Sequence, residues 1–305
     1  AVHGRNMSTI WEWERKDYQG ERMDSVLDRP DVTAEVGKTY LDMNRLSDKI
    51  AEISNIKPRI AIMYSKPSRL YDANYSKNLF ITYSALNEIG ETVGIVSDKC
   101  ISMLTNYDVL IIPGAKNCKK ETLDSVERFI KNGGQVICCE DDFSYDEYNN
   151  SIDNSYLGDN AYLYTVHNVT EAKDTILKRL HRLGMARMTI QNESSGSGVS
   201  NIDWKYTVEN DRILINISNL GTEKINGLSF YLDGKKLDGT FHELITDSNI
   251  TETINLDIKT PMLLEYCIEP TADICNLSYD KNEGKISWLC TSQNYDAVRT
   301  SSSTA

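Results

Sequence analysis

No run of eighteen or so apolar residues occurs in this chain, so no segment is long enough to cross a bilayer as a helix. Neither Gly-x-Gly-x-x-Gly nor a Walker A sequence is present, which removes the main arguments for a nucleotide site. Cysteine is scarce and oddly placed. The seven thiols (Cys100, Cys118, Cys138, Cys139, Cys267, Cys275 and Cys290) are odd in number and show no Cys-x-x-Cys spacing. That pattern suggests neither a zinc knuckle nor a disulfide framework, and no metal or cofactor is expected. Basic charge is also short: 33 Lys and Arg against 45 Asp and Glu leave a net charge of −12. Nucleic acid and anionic membranes are therefore poor partners. The sequence has no initiator Met, basic n-region or apolar h-region, so no signal peptide is visible, and the chain reads as a piece of a larger protein. Eight Asn-x-Ser/Thr sequons, among them Asn6, Asn168 and Asn216, are what so Asn-rich a chain produces by chance.

What is present is enough for two or three domains: 305 residues, 40% of them hydrophobic. The chain is organised around its opening stretch, His3-Gly4 through Ile10-Trp11-Glu12-Trp13-Glu14-Arg15. On a strand, Trp11 and Trp13 share one face, with Ile10, Glu12 and Glu14 on the other. Two indoles, His3 and the Gly20-Glu21 pair make a wall suited to a sugar, because an indole offers an apolar face with a polar N–H at its edge. The alternative is a strand whose aromatics fill a core. A polar loop is expected from Lys16 to Asp31, then a helix over Val32–Ile53 capped by Thr33. Val36, Tyr40, Met43, Leu46, Ile50 and Ile53 recur at three- and four-residue steps, as one buried helical face requires.

After a hinge at Ser54–Pro58, strands and helices alternate. Arg59–Ser65, Thr92–Val96, Asp108–Gly114 and Gln135–Cys139 read as apolar strands covered on both faces. Tyr75–Ile89 and Lys119–Asn132 read as helices, the second stopped by Gly133-Gly134. This spacing predicts a parallel, doubly wound sheet. Its carboxyl edge, where such sheets bind ligands, would carry Ser65, Pro113-Gly114 and Glu140-Asp141-Asp142. An amidotransferase would need a cysteine on a tight elbow with a histidine nearby. Cys118 has no glycine-flanked elbow, and the nearest histidines in sequence are His167 and His181. The acidic run could hold a cation, but a solvated strand end is preferred, and the domain is read as structural. Asp142–Asn160 is expected as a long loop, followed by a helix capped by Thr170 and running to Leu183.

From Met188 the period becomes two. Asn192–Ser200 is a flexible connector by composition, and Trp204–Val208, Arg212–Ile217, Gly227–Leu232, Glu252–Leu256 and Met262–Ile268 are short strands of an antiparallel sandwich. Asp233-Gly234 suits a tight hairpin. After Pro270, Ala272–Leu277 and Gly284–Leu289 look like the first two strands of a fibronectin type III module, followed by a Ser/Thr-rich end.

His3-Gly4, the Trp11–Arg15 strand, Gly20-Glu21 and the Val32–Ile53 helix together resemble the closing unit of the barrel in family 42 glycoside hydrolases and related β-galactosidases. The rest, to about Ile268, is similar to that family's flavodoxin- or amidotransferase-like middle domain and small β domain. The resemblance implies four segments: 1–56, the last β/α unit of a TIM barrel; 57–187, the doubly wound domain; 188–269, the β-sandwich; and 270–305, the start of the fibronectin-like module. It implies a retaining mechanism with two carboxyl groups about 5 Å apart. In that barrel clan these glutamates end the fourth and seventh strands, so no catalytic residue is expected in this chain. Trp13 would stack on the sugar, with His3, Trp11 and Glu21 around it. The expected partners are a carbohydrate substrate and, by resemblance, two further copies in a homotrimer, with no nucleic acid and no membrane. The other reading is a non-catalytic assembly or carbohydrate-binding region. The architecture serves cytosolic and secreted glycosidases alike, and the fibronectin-like tail leans toward secretion.

Overall fold

The computed structural model describes residue 3 and residues 14–16, 22–25, 29–209, 212–251, 253–268, 272–280, 285–292 and 295–304, the backbone alone for 14–25 and 272–304. β1 (Glu14–Lys16) and β2 (Arg22–Ser25) pair antiparallel, with Lys16 opposite Arg22. Part of the segment expected as a loop is therefore a second strand, which pairs the backbone groups a lone strand would leave open. Trp11 and Trp13 lie outside the described residues.

The expected single helix is two, α1 (Pro30–Arg45) and α2 (Ser47–Ser54), broken at Leu46. Thr33 is not the cap. The helix starts three residues earlier because Pro30 can occupy the first turn, where its missing N–H costs nothing. Only the far end of the apolar stripe is buried: Leu46 and Ile53 pack on Leu214, Leu244 and Leu263. Val36 and Met43 stay half-buried, and Tyr40 is exposed.

Next come β3 (Ile60–Tyr64), α3 (Lys66–Tyr71), α4 (Tyr75–Ile89), β4 (Val93–Ser97), a 3-10 helix (Asp98–Asn106), β5 (Val109–Ile112), α5 (Lys120–Lys131), β6 (Gln135–Cys138), α6 (Ser155–Asn160), β7 (Tyr162–Leu163) and α7 (Val169–Arg182). The five strands are parallel in the order β4-β3-β5-β6-β7. Side chains alternate between two cores, as period two demands. Ala61, Met63, Leu110, Ile112 and Val136 meet Leu104, Val126 and Phe129 on one face. Ile60, Ile62, Val109 and Ile111 meet Ala85, Leu86, Ile176 and Leu180 on the other. The strand order reverses between β3 and β5, which marks that carboxyl edge as the place for a ligand.

Two local expectations change here. The 142–160 loop ends in α6, and α7 is capped by Asn168, whose side chain accepts from the Glu171 N–H. Asn168 and Thr170 are both capping residue types, and the extended backbone at Asn168 decides between them.

Then follow β8 (Met188–Asn192), β9 (Ile202–Val208), β10 (Arg212–Asn219), β11 (Ile225–Leu232), β12 (Lys235–Lys236), β13 (Phe241–Glu243), β14 (Ser248–Ile250), β15 (Ile254–Leu256) and β16 (Pro261–Cys267). They form one sheet ordered β14-β13-β16-β10-β9 and a second ordered β12-β11-β15, with β8 also paired to β11. Phe230 and Phe241, from different sheets, meet with their rings tilted at 44° and 5.6 Å between centres. The β11–β12 hairpin turns at Asp233 and Gly234, both at positive φ (50° and 80°), the turn this dipeptide favours. The 192–200 segment is wound by Asn192, whose side-chain oxygen accepts from the Ser194 and Ser195 N–H groups.

The chain divides into two compact units, Ala1–Thr207 with Leu214–Glu265, and Val208–Ile213 with Tyr266–Ala305. In the second unit β17 (Ala272–Asp280), β18 (Lys285–Ser292) and β19 (Tyr295–Thr304) form a three-stranded antiparallel sheet. The Ser/Thr-rich end is thus a strand, Ser301 opposite Trp288, completing the pairing of β18 on its second edge.

Candidate functional site

Of the four residues expected to line a sugar site, His3 is the one whose surroundings are described. Its Nε2 lies 2.8 Å from Oδ2 of Asp203, at the start of β9. Trp11, Trp13 and Glu21 lie outside the described residues.

The carboxyl edge of the parallel sheet is fully described: hydrogen bonds cross its centre, and beside them a cavity of about 320 Å³ opens among Tyr64, Lys66, Pro67, Leu70, Ser97 and Lys119. Ser65 and Ser68 both donate through Oγ to the Asn117 carbonyl, at 2.5 and 2.8 Å, and the Asn117 N–H returns to Ser68 Oγ at 2.8 Å. Tyr75 caps the end of β3, accepting from the Ser65 N–H and donating to the Met63 carbonyl, each at 2.8 Å. The serine bonds tie the end of β3 to the loop after β5. The Asn117 side chain reaches on to the Asp146 carbonyl and to Asn149.

Asp142 does not sit on the solvated strand end expected for the acidic run. Its neighbours Glu140 and Asp141 do, but Asp142 is wholly buried. Oδ2 accepts from the Cys139 N–H at 2.6 Å. Burial holds its carboxyl well above the usual range, against the pull of the Cys139, Gly114 and Ala115 amides. Of the thiols here, Cys118 and Cys138 are buried and Cys139 is half-buried. Burial pushes Cys118 and Cys139 up, and Cys138 up to about 12. A nucleophile needs the opposite shift, so the edge has no activated thiol. Cys100 does move down, because the Ser97 hydroxyl and N–H bond its sulfur, but it caps the 3-10 helix.

A second polar cluster gave no signal in the sequence. At the end of α4, Glu88 pairs with Lys173 of α7 at 2.8 Å, both side chains under 10% exposed. Lys173 also donates to the Val199 carbonyl, while Glu88 accepts from the Asn201 N–H. Trp204 of β9 donates to the Glu88 carbonyl at 3.0 Å and lies flat on Gly90, where any Cβ would come within 2.6 Å of the indole. These bonds tie the β domain to the α/β domain. Glu88 and Lys173 are 85 positions apart in sequence, so no local motif could announce the cluster.

The fold class is thus an α/β domain with a doubly wound parallel sheet, joined to antiparallel β-sandwich-like sheets. Residues 50–193 match the family described as the beta-galactosidase trimerisation domain of glycoside hydrolase family 42. The chain is similar to the exo-carrageenase of family 42 from Bacteroides ovatus, with 22% identity and a TM-score of 0.66 over 83% of this chain and 34% of that one. It is also similar to the family 42 β-galactosidase from G. stearothermophilus (16% identity, TM-score 0.58, 83% and 45% covered). The β-galactosidase from Bacillus circulans sp. alkalophilus matches at 14% identity and a TM-score of 0.55, with 82% and 46% covered. Comparison with curated protein sequences gave no match. The chain spans less than half the length of these solved structures, and it has the fold of the C-terminal part of a family 42-like glycoside hydrolase.

Proposed function

We propose that this chain is the assembly-forming, C-terminal part of a glycoside hydrolase that acts on β-galactosides or related sugars by a retaining mechanism. Its two catalytic carboxylates would lie outside these residues, about 5 Å apart in the complete site. The observation that carries the reading is the trimerisation-domain match over 50–193. Exposed Leu70, Tyr71, Phe80 and Ile95 on α3, α4 and β4 give that domain apolar surface for a second copy. α1 supports the barrel side of the proposal. Its stripe of Val36, Tyr40 and Met43 is half-buried to exposed, which suits a helix that packs on further β/α units.

In this reading Trp13 stacks on the sugar, while His3, Trp11 and Glu21 line the site. The test is kinetic. The chain alone turns over no aryl β-galactoside above background. In the complete enzyme, Trp13→Ala lowers kcat/KM tenfold or more, at least about 1.4 kcal/mol of transition-state binding, with little change in melting temperature. Turnover by the chain alone that Glu14→Gln or Glu21→Gln abolishes would put the chemistry here instead. Early melting with normal specific activity in Trp13→Ala would make that indole a packing residue.

A further inference from the structure

We propose that the cavity at the carboxyl edge of the parallel sheet binds a small organic phosphate or sulfate ester, held by Lys66, Lys99 and Lys119. This site is separate from the glycosidase reading and does not rest on it. Three neighbouring strands each deliver one lysine. Tyr64 ends β3 and Lys66 opens α3, while Ser97 ends β4 and Lys99 lies in the 3-10 helix. Lys119 follows β5 and directly precedes α5. In the sheet these strands stand side by side, in the order β4-β3-β5. All three lysines line one cavity of about 320 Å³, a volume that a small-molecule site can have. In a doubly wound sheet, ligands bind outside the carboxyl ends of the strands, where the strand order reverses.

Among the described residues, none of the three ammonium groups has a hydrogen bond or ion pair, and the Tyr64 hydroxyl beside them has none either. The carboxylates lining the same cavity are Asp98 and Glu147, and neither pairs with a lysine. Asp98 is engaged instead by the Thr122 hydroxyl, at 3.0 Å. Cationic groups thus outnumber anionic ones here, in a chain whose net charge is −12. Like charges gathered on one concave wall repel, and a cleft focuses their field on an incoming anion. A phosphate or sulfate head offers several acceptor oxygens, enough for more than one ammonium and the phenol at once. Half-buried Tyr64 and buried Pro67 supply an apolar wall for the rest of the molecule. The frame is braced beforehand. Ser65 and Ser68 hold the Asn117 carbonyl, which fixes the start of α3 against the segment that carries Lys119. The Thr122–Asp98 bond ties α5 to the 3-10 helix that carries Lys99. Walls already ordered lower the entropy lost on binding.

The probes are phenyl phosphate and phenyl sulfate, titrated into the 305-residue chain by calorimetry and by backbone amide resonances. Saturable binding is expected, weakened by added sodium chloride, with the shifts centred on Lys66, Ser97, Lys99 and Lys119. The two esters share a ring and differ in charge, so the tighter one tells a phosphate source from a sulfate source. Lys66→Gln, Lys99→Gln and Lys119→Gln combined should raise Kd about tenfold or more. All three positions are exposed, so the melting temperature should stay near the parent's. The comparison variant combines Lys38→Gln, Lys77→Gln and Lys178→Gln, which removes the same charge from exposed positions off the cavity. Its Kd should stay within about twofold of the parent's, because distant exposed charges are screened. No saturable binding of either ester by the unsubstituted chain would overturn the proposal. So would an unchanged Kd in the cavity variant, or an equal loss in both triple variants, the mark of general charge attraction.

Discussion

At the scale of single residues, the chemistry of this chain is carried by carboxyl groups placed out of water. Glu91 is the clearest case after Asp142. It follows α4, accepts from the Ala186 N–H at 3.0 Å, and is held above its ordinary value of 4.5 by burial, with Tyr206 beside it. A carboxyl whose folded value is raised contributes stability that is complete below the unfolded value and lost as pH climbs through the folded one. Glu91→Gln keeps the acceptor oxygen and cannot ionise. Its melting temperature should match the parent's near pH 4 and exceed it increasingly toward pH 8. A constant offset between the two melting curves across that range would show that Glu91 does not titrate in place.

At the scale of elements, the junction between α4, α7 and β9 decides how far the domains act as one body. Trp204 is 2% exposed, donates to the Glu88 carbonyl, and stacks on Tyr206 at 5.4 Å. Emptying such a site costs about 3–5 kcal/mol. Trp204→Ala should thus lower the unfolding free energy of the first unit by that amount or split its unfolding into two transitions. Trp204→Phe should recover the packing but not the hydrogen bond. Unchanged unfolding in the alanine variant would mean the β domain is not anchored there. Gly90 could be anticipated as a helix stop, since it takes φ of 86° after Ile89, but not as the floor for an indole 114 positions away in sequence.

Which parts were legible follows from the same contrast between local and distant signals. The parallel sheet was, because Ile60-Ala61-Ile62-Met63 and Val109–Ile112 are short apolar runs whose residues alternate between two cores. The helix Tyr75–Ile89 appears with the bounds its periodicity gives. The break at Leu46 was hidden, since the apolar period runs on unbroken through it and only tertiary packing on Leu214 and Leu263 separates the halves. β2 and β19 were missed for another reason: Arg22–Ser25 and Tyr295–Thr304 are mostly polar in sequence and lack the apolar alternation by which a strand is read, while pairing itself needs only backbone groups. The acidic run Glu140-Asp141-Asp142 looks uniform in sequence, yet its third member is in the core, where its carboxyl accepts from the Cys139 N–H at the end of β6.

At the scale of the whole molecule, the account makes the 50–193 region an assembling domain and the enzyme's chemistry a property of the larger protein. In the proposed trimer, copies that each carry a net charge of −12 would meet through apolar surface such as Phe80 and Ile95 rather than through charge. The most direct measurement is the mass of the purified chain in solution by sedimentation equilibrium, over a range of micromolar concentrations. The account predicts a species of three times the 34.6 kDa chain mass, dissociated by Phe80→Glu with Ile95→Glu while the monomer stays folded. A single species at 34.6 kDa throughout that range, unmoved by the double substitution, would contradict it.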